Sequence, residues 1–223
     1  PMSRAAWKRV LRETMRRNRV RDGSLYLQVS RGTNRRDFLF PPAGTPPTVV
    51  CVARRGNPAA AAARNEKGIA VKTVPDNRWG RCDIKTVMLL PASLAKQAAH
   101  AAGADDAWFV DDKGFVTEGA SNNAWIVDQQ GRLVTRPCDR EILRGVTRTT
   151  LLDLLRREGI ELIERPFTVE EAKRAREVFV TSATNILTPI VTIDGQTIAN
   201  GVPGSVAARL RAAFYEVAEI APP

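Results

Sequence analysis

Hydrophobic positions in the first stretch of the chain recur at helical spacing. Ala6, Val10, Leu11 and Met15 fall on one face of a helix predicted over residues 3–18, and Ser3 stands where an N-cap hydroxyl is wanted. Asp22-Gly23 then marks a turn, after which the period shortens. Residues 25–30 and 48–53 are short runs of β-formers, separated by a polar stretch over 31–37. Residues 54–66 hold Gly56-Asn57-Pro58 and a run of alanines from Ala59 to Ala63. Pro58 and the small side chains offer no apolar face, so this segment reads as a linker at a domain boundary, with a short helix as the other reading.

Beyond it the pattern is dominated by short strands, predicted over 69–74, 107–110, 114–117, 124–127, 133–135, 161–165, 177–182 and 188–193. Residues 83–88 are β-branched and apolar around a single lysine and look like a strand as well. Helices are predicted over 91–103, with Ser93 as a cap, and over 147–158, with Leu151, Leu152, Leu154 and Leu155 facing inward. Thr168 with Glu171 makes a capping box for a short helix, Asp194-Gly195 is a hairpin turn, and residues 204–219 form a closing helix. Strands outnumber helices and their connections are short. An α+β domain with antiparallel or mixed pairing follows, rather than a doubly wound sheet.

Composition narrows the function classes. The chain has 223 residues, room for one large domain or two small ones, with 43% hydrophobic and 26% charged residues. Its net charge of +10 raises nucleic acid or an anionic membrane surface as partners. The arginines are scattered apart from a concentration over residues 8–21, no aromatic side chains alternate with them, and no zinc-finger or Gly-x-x-Gly pattern appears. Solvated helix faces are the preferred reading, with no nucleic-acid or membrane partner. Cys51, Cys82 and Cys138 lie far apart, which argues against a disulfide framework and against a zinc site, and fits a reducing cytoplasm. The one histidine, His100, lies in an alanine-rich helical run and reads as a surface residue. No apolar run approaches the ~20 residues that span a bilayer.

The residues that carry chemistry leave alternatives open when taken singly. Lys85 sits in an apolar, strand-like setting, either as a strand-end lysine snorkelling to water or as a desolvated amine able to attack a carbonyl; the residues alone favour the first. Glu118, followed by Gly119-Ala120-Ser121, suits a turn beside a ligand and equally an ordinary surface turn. Gly145-Val146-Thr147 opens a helix whose free N–H groups suit a phosphate, as many helix starts do. Thr181-Ser182-Ala183-Thr184 ends a strand and offers hydroxyls and N–H groups, or is a polar turn.

In order along the chain these segments are more specific. Leu25-Tyr26-Leu27-Gln28-Val29-Ser30-Arg31-Gly32, Arg78-Trp79-Gly80-Arg81-Cys82-Asp83-Ile84-Lys85 and Val116-Thr117-Glu118-Gly119-Ala120-Ser121 are followed by Ile142-Leu143-Arg144-Gly145-Val146-Thr147-Arg148, Phe179-Val180-Thr181-Ser182 and Thr188-Pro189. Together they resemble the fold-type IV enzymes that depend on pyridoxal 5′-phosphate (PLP), and D-amino-acid aminotransferases most closely. The resemblance implies a two-domain α+β fold. Its divisions are the remainder of a small N-terminal domain over 1–58, a linker over 59–66 and a large PLP-binding domain over 67–223. It implies that Lys85 forms a Schiff base with PLP and moves the proton at the substrate α-carbon, and that Glu118 pairs with the pyridine nitrogen. It places Val146 and Thr147, with Gly145, at the phosphate, Leu143 under the ring, Ser121 beside the cofactor, and Ser182, Ala183 and Thr184 on a second phosphate-side loop.

The resemblance also implies ping-pong transamination between an amino acid, with D-amino acids foremost, and a 2-keto acid, in a cytoplasmic homodimer. The family carries several dozen further residues ahead of the position matching Ser3, among them a phosphate-binding arginine. D-amino-acid aminotransferases hold the substrate carboxylate with an Arg-x-His pair; Arg36 matches the arginine, Phe38 stands at the histidine, and Ala183 stands where threonine is common. Arg36 is therefore either half of a carboxylate trap or a solvated loop arginine. The alternatives within the family are branched-chain L-amino-acid aminotransferase, R-selective amine transaminase and aminodeoxychorismate lyase. Outside it stand a basic nucleic-acid-binding module and an inactive fragment.

Overall fold

The computed structural model describes residues 2–218. Contacts divide the chain into two compact units, one up to Ala61 and one from Ala62 onward. In the first, helix α1 (Arg4–Arg17) starts at Ser3, whose Oγ accepts a hydrogen bond from the Ala6 N–H at 3.2 Å, as the sequence suggests. Strands β1 (Gly23–Val29) and β2 (Val49–Arg55) pair antiparallel with Leu27 opposite Cys51. The long connection between them carries Phe38, 94% exposed, and the neighbouring Leu39 and Phe40.

The segment read as a linker is helix α2 (Pro58–Lys67), and the division between the units falls inside it. Pro58 occupies the first helical position, where its missing N–H costs nothing, and the Asn57 Oδ1 accepts from the Ala60 N–H at 3.0 Å. Alanine's high helix propensity favours the helix, although none of its residues is fully buried.

The second unit is built on β3 (Ile69–Pro75), β4 (Asp106–Val110), β5 (Val116–Gly119), β6 (Asn123–Val127), β7 (Leu133–Thr135), β8 (Leu162–Glu164), β9 (Glu177–Ser182), β10 (Ile186–Ile193) and β11 (Gln196–Thr197). They form one mixed nine-stranded sheet in the order β5-β4-β3-β10-β9-β6-β7-β8, with β11 on β10. Strands β5 and β6 are first and sixth in that order, which in a flat sheet would part them by about 24 Å. Only residues 120–122 join them, and four peptide steps reach at most about 15 Å. The sheet must therefore curl back on itself, which brings the ends of β5, β6 and β9 to one rim.

Both faces of the curled sheet are apolar. Along β6, Ala124 and Ile126 point into a core with Trp108, Phe167, Val178 and Val180, while Trp125 and Val127 face the other way. On that outer side lie α4 (Val146–Glu158) and α6 (Ser205–Val217), whose Leu151, Leu154, Leu155 and Leu210 pack against Trp125 and Phe179. Each of these leucines contributes about 1.5–3 kcal/mol of burial. Helix α3 (Leu90–Ala101) packs through Ala95 and Ala99 on Ala107 and Phe109, and the short α5 (Val169–Lys173) carries the capping box of Thr168 and Glu171.

Three expectations change. Ser93 does not cap α3: the helix begins at Leu90, Leu89 has no side-chain cap bond, and the Ser93 N–H already bonds to the Leu89 carbonyl at 2.8 Å. Residues 83–88 are not a strand, because no neighbouring strand pairs with them. The closing helix ends at Val217, and Glu219 lies outside the described residues. Among the described residues no helix is long and apolar enough to cross a membrane.

Candidate active site

The rim of the curled sheet carries the site. At the end of β3 the chain leaves the sheet and runs through Asp76 and Arg78. The Arg78 guanidinium grips Asp76 twice, Nε to Oδ1 at 2.9 Å and Nη2 to Oδ2 at 2.7 Å, and its Nη1 donates to Glu118 Oε1. It lies over the Phe109 ring with Cζ 4.5 Å from the centroid. Thr117 reaches the same cluster: its Oγ donates to Asp76 Oδ2 at 2.7 Å and accepts from Arg78 Nη2 at 3.2 Å.

Adjacent strand residues ordinarily point to opposite faces, yet Thr117 and Glu118 both meet Arg78. The register explains it. Val110 pairs with Val116 and Trp108 with Gly119, so two residues of β5 face one of β4. This β-bulge turns both side chains toward the guanidinium.

Glu118 is buried, with its Oε2 accepting from Asn123 Nδ2 and from the Leu143 N–H, each at 3.1 Å. Burial pushes its pKa up to about 7, outweighing the pull of Arg78 and of the Leu143 N–H. Burial also opposes the charge on Asp76, but the Arg78 hydrogen bonds win and hold that carboxyl below its usual range. Against the same burial, the two carboxylates raise the guanidinium's affinity for its proton. A carboxylate in contact with an arginine ordinarily titrates low; Glu118 does not, because burial outweighs the pull of Arg78, and the charge of neighbouring Asp76 adds to the rise.

Around Glu118 opens a cavity of about 370 Å³ that lies within the second unit. Lys85 lines it and is the one lysine to do so among the described residues. Ser121, on the link from β5 to β6, lines it too; Asn122 Nδ2 donates to Asp106 Oδ2 at 2.9 Å and Lys96 Nζ meets Asp106 Oδ1 at 2.7 Å, anchoring that link. Leu143, Gly145, Val146 and Thr147 form another wall at the N-terminus of α4, and Ser182 and Ala183 close the rim after β9.

Helix α4 has no side-chain cap. Gly145 is its N-cap residue, and Val146 is 71% exposed. The first N–H groups of a helix have no intrahelical acceptor, so they suit an anion in the cavity. Gly145 has an ordinary φ of −62°, and space demands it there: a Cβ would come within 2.2 Å of Asn123 Oδ1.

Two sequence-derived residues fall outside the cavity and one differs in setting. Thr184 lies exposed in the turn between β9 and β10, beyond the lining. Arg36 belongs to the first unit, on the exposed loop after β1, with its guanidinium 5.8 Å from the Phe38 ring. Lys85 is exposed on a loop, not desolvated in a strand. Ile84, Val87, Met88 and Leu89 are exposed with it, and a β-branched run without a partner strand buries nothing. Sequence reasoning passed over Asp76 and Asn123, and noted Arg78 and Thr117 only within matching segments; a short-range Asp-x-Arg pair was the available signal for the first.

The site suits a phosphorylated pyridine aldehyde. An amine, a buried carboxyl, an apolar wall at Leu143 and an uncapped helix start line one cavity of suitable volume, and Glu118's oxygens retain acceptor capacity beyond their present partners. No group of three metal-ligating side chains occurs among the described residues.

Comparison with known proteins points the same way. Residues 1–193 match the model for amino-transferase class IV. D-alanine aminotransferase of Bacillus licheniformis is 37% identical over 212 residues, covering 95% of this chain and 73% of that protein. A branched-chain amino acid aminotransferase from T.th., solved with pyridoxamine 5′-phosphate, superposes with a TM-score of 0.81 at 27% identity, over 97% of this chain and 72% of that one. The Escherichia coli branched-chain enzyme does so with a TM-score of 0.79 at 25% identity, over 97% and 73%.

Proposed function

Since the chain belongs to the class IV aminotransferases, and is thereby an enzyme that uses PLP to transfer amino groups, we propose that the cavity around Glu118 is its active site and that its amino donors are D-amino acids. The observation that carries the first part is the meeting of Lys85, Glu118 and the α4 N-terminus in one cavity, although they lie on a loop, a bulged strand and a helix far apart in sequence. The second part draws on the likeness to D-alanine aminotransferases.

When bound, PLP supplies the carbonyl that accepts the amine and the ring that takes up the electron pair from the substrate α-carbon. Lys85 Nζ would hold the cofactor covalently; the incoming substrate amine would replace it in that bond, and the freed Nζ would then take the proton from the α-carbon and deliver it to the cofactor carbon. Glu118 holds a proton at the ring nitrogen. The N–H groups of Val146 and Thr147 bind the phosphate, Ser182 supplies a hydroxyl beside it, and Leu143 gives the ring an apolar face. Ser121 sits on the anchored β5–β6 link and positions the cofactor edge. Arg36, which does not line the cavity of its own chain, serves the cavity of a second copy, where it takes the substrate carboxylate as a two-pronged donor. The chain acts as a homodimer.

A second reading, branched-chain L-amino acids as donors, draws on the fold likeness to branched-chain enzymes and on Phe38 replacing the expected histidine. Loading the protein with PLP and following its visible band on adding D-alanine or L-leucine separates the two. Bleaching with release of pyruvate from D-alanine supports the D reading. Bleaching by L-leucine alone replaces it with the second.

A further inference from the structure

Counting charge at the cluster beside the cavity gives an unexpected remainder. Two carboxylates, Asp76 and Glu118, share one guanidinium, and all three side chains are nearly closed to solvent. Asp76 holds the larger share: two Arg78 nitrogens contact its two oxygens, and its Oδ1 also accepts the Arg78 backbone N–H at 3.2 Å. Glu118 receives a single N–H from Arg78. The neutral donors around them, Thr117, Asn123 and the Leu143 N–H, add no charge, and the Glu141 carbonyl accepts a further Arg78 N–H at 3.0 Å. The remaining titratable groups at the cavity wall are the Cys82 thiol, Lys85 and the Arg144 guanidinium.

We propose that Asp76 is a positioning residue for Glu118: by occupying Arg78 it leaves the three-group cluster with one net negative charge, available to a cation on the cavity side. The inference rests on the reading of Glu118 as the partner of the protonated ring nitrogen. Without Asp76, Arg78 and Glu118 would close into a neutral pair. In a site of low polarity such a pair offers little to a neighbouring pyridinium. Without Arg78, two carboxylates in one buried place could not both stay ionised. The guanidinium keeps the pair of acids together, and the second acid keeps the guanidinium from consuming the first.

The direct test is Asp76→Asn, which keeps size and one acceptor while removing the charge. In the cofactor-free protein, the Glu118 side-chain carboxyl, assigned with Glu118→Gln, is titrated by ¹³C NMR. Its midpoint is expected to fall by about one unit, a tenfold loss of proton affinity, and Asp76→Glu is expected to restore it. With ¹⁵N-labelled PLP bound, the ring nitrogen is expected to be protonated at pH 7.5 in the wild type and largely deprotonated in Asp76→Asn. An unchanged Glu118 midpoint, or a ring nitrogen still protonated in Asp76→Asn, overturns the proposal. If Asp76→Asn does not fold, the wild type decides: Asp76 must remain ionised throughout the titration of Glu118, and an Asp76 midpoint above that of Glu118 refutes the idea. A ring nitrogen still protonated in Glu118→Gln would overturn the reading of Glu118 itself, a failure distinct from that of Asp76 alone.

Discussion

Glu118 carries two consequences at the scale of single residues. Its folded-state pKa, about 7, lies above the ordinary carboxyl value, so the native state binds that proton more tightly than the unfolded chain does. Its contribution to stability is therefore complete below about pH 4.5 and is lost as the pH rises to about 7, a change of roughly 3 kcal/mol. Urea unfolding of the cofactor-free protein at pH 5 and pH 8 is expected to show this loss, and Glu118→Gln to remove it; equal pH dependence in both proteins would place the carboxyl in water. Asp76 has the opposite sign, its contribution lost only as the pH falls through its lowered pKa. Gly145 gives a second test. In Gly145→Ala the new methyl group must displace Asn123, one of the two donors to Glu118 Oε2. PLP affinity is expected to drop tenfold or more in equilibrium dialysis with the circular dichroism unchanged, whereas wild-type affinity would mean that Asn123 can move freely.

At the scale of elements, the legible parts were those whose local pattern and final environment agree. β6 is apolar from Ala124 to Val127 because it is buried on both faces, and α4 shows its leucine stripe because it covers the sheet. Leu151→Ala is accordingly expected to cost about 2–5 kcal/mol in chemical denaturation, while Arg157→Ala on the exposed face changes stability by about 0.5 kcal/mol or less. Comparable losses at both positions would contradict the packing of α4. Less legible were features decided by neighbours. Residues 83–88 have strand composition but no strand to pair with, and α2 has helix formers but no apolar face to announce it. The bulge that aims Thr117 and Glu118 together depends on the register with β4, which no local pattern in β5 records.

For the whole molecule, collinear segments along nearly the entire chain carried the family, because independent stretches agreed in order. They assigned Lys85, Glu118 and the α4 start to one cofactor, and the structure brings the three to one cavity; the charge-sharing around Arg78 was not legible, because it arises only when the loop after β3 meets β5. Arg36, on the first unit, marks where the substrate reading stands apart from the cofactor reading. Arg36→Ala is expected to raise KM about tenfold or more for donors bearing a carboxylate and to leave that for simple amines unchanged. An equal effect on both would make Arg36 structural. Sedimentation is expected to give twice the chain mass, and a monomer with full activity would remove the homodimer from the account.

The central claim, that Lys85 holds the cofactor, is tested most directly by borohydride reduction of the PLP-loaded protein, proteolysis and mass spectrometry of the labelled peptide. The account expects one phosphopyridoxyl group on the peptide containing Lys85 and none in Lys85→Ala. A label on Lys72, Lys96 or another lysine, or an undiminished label in Lys85→Ala, would contradict it.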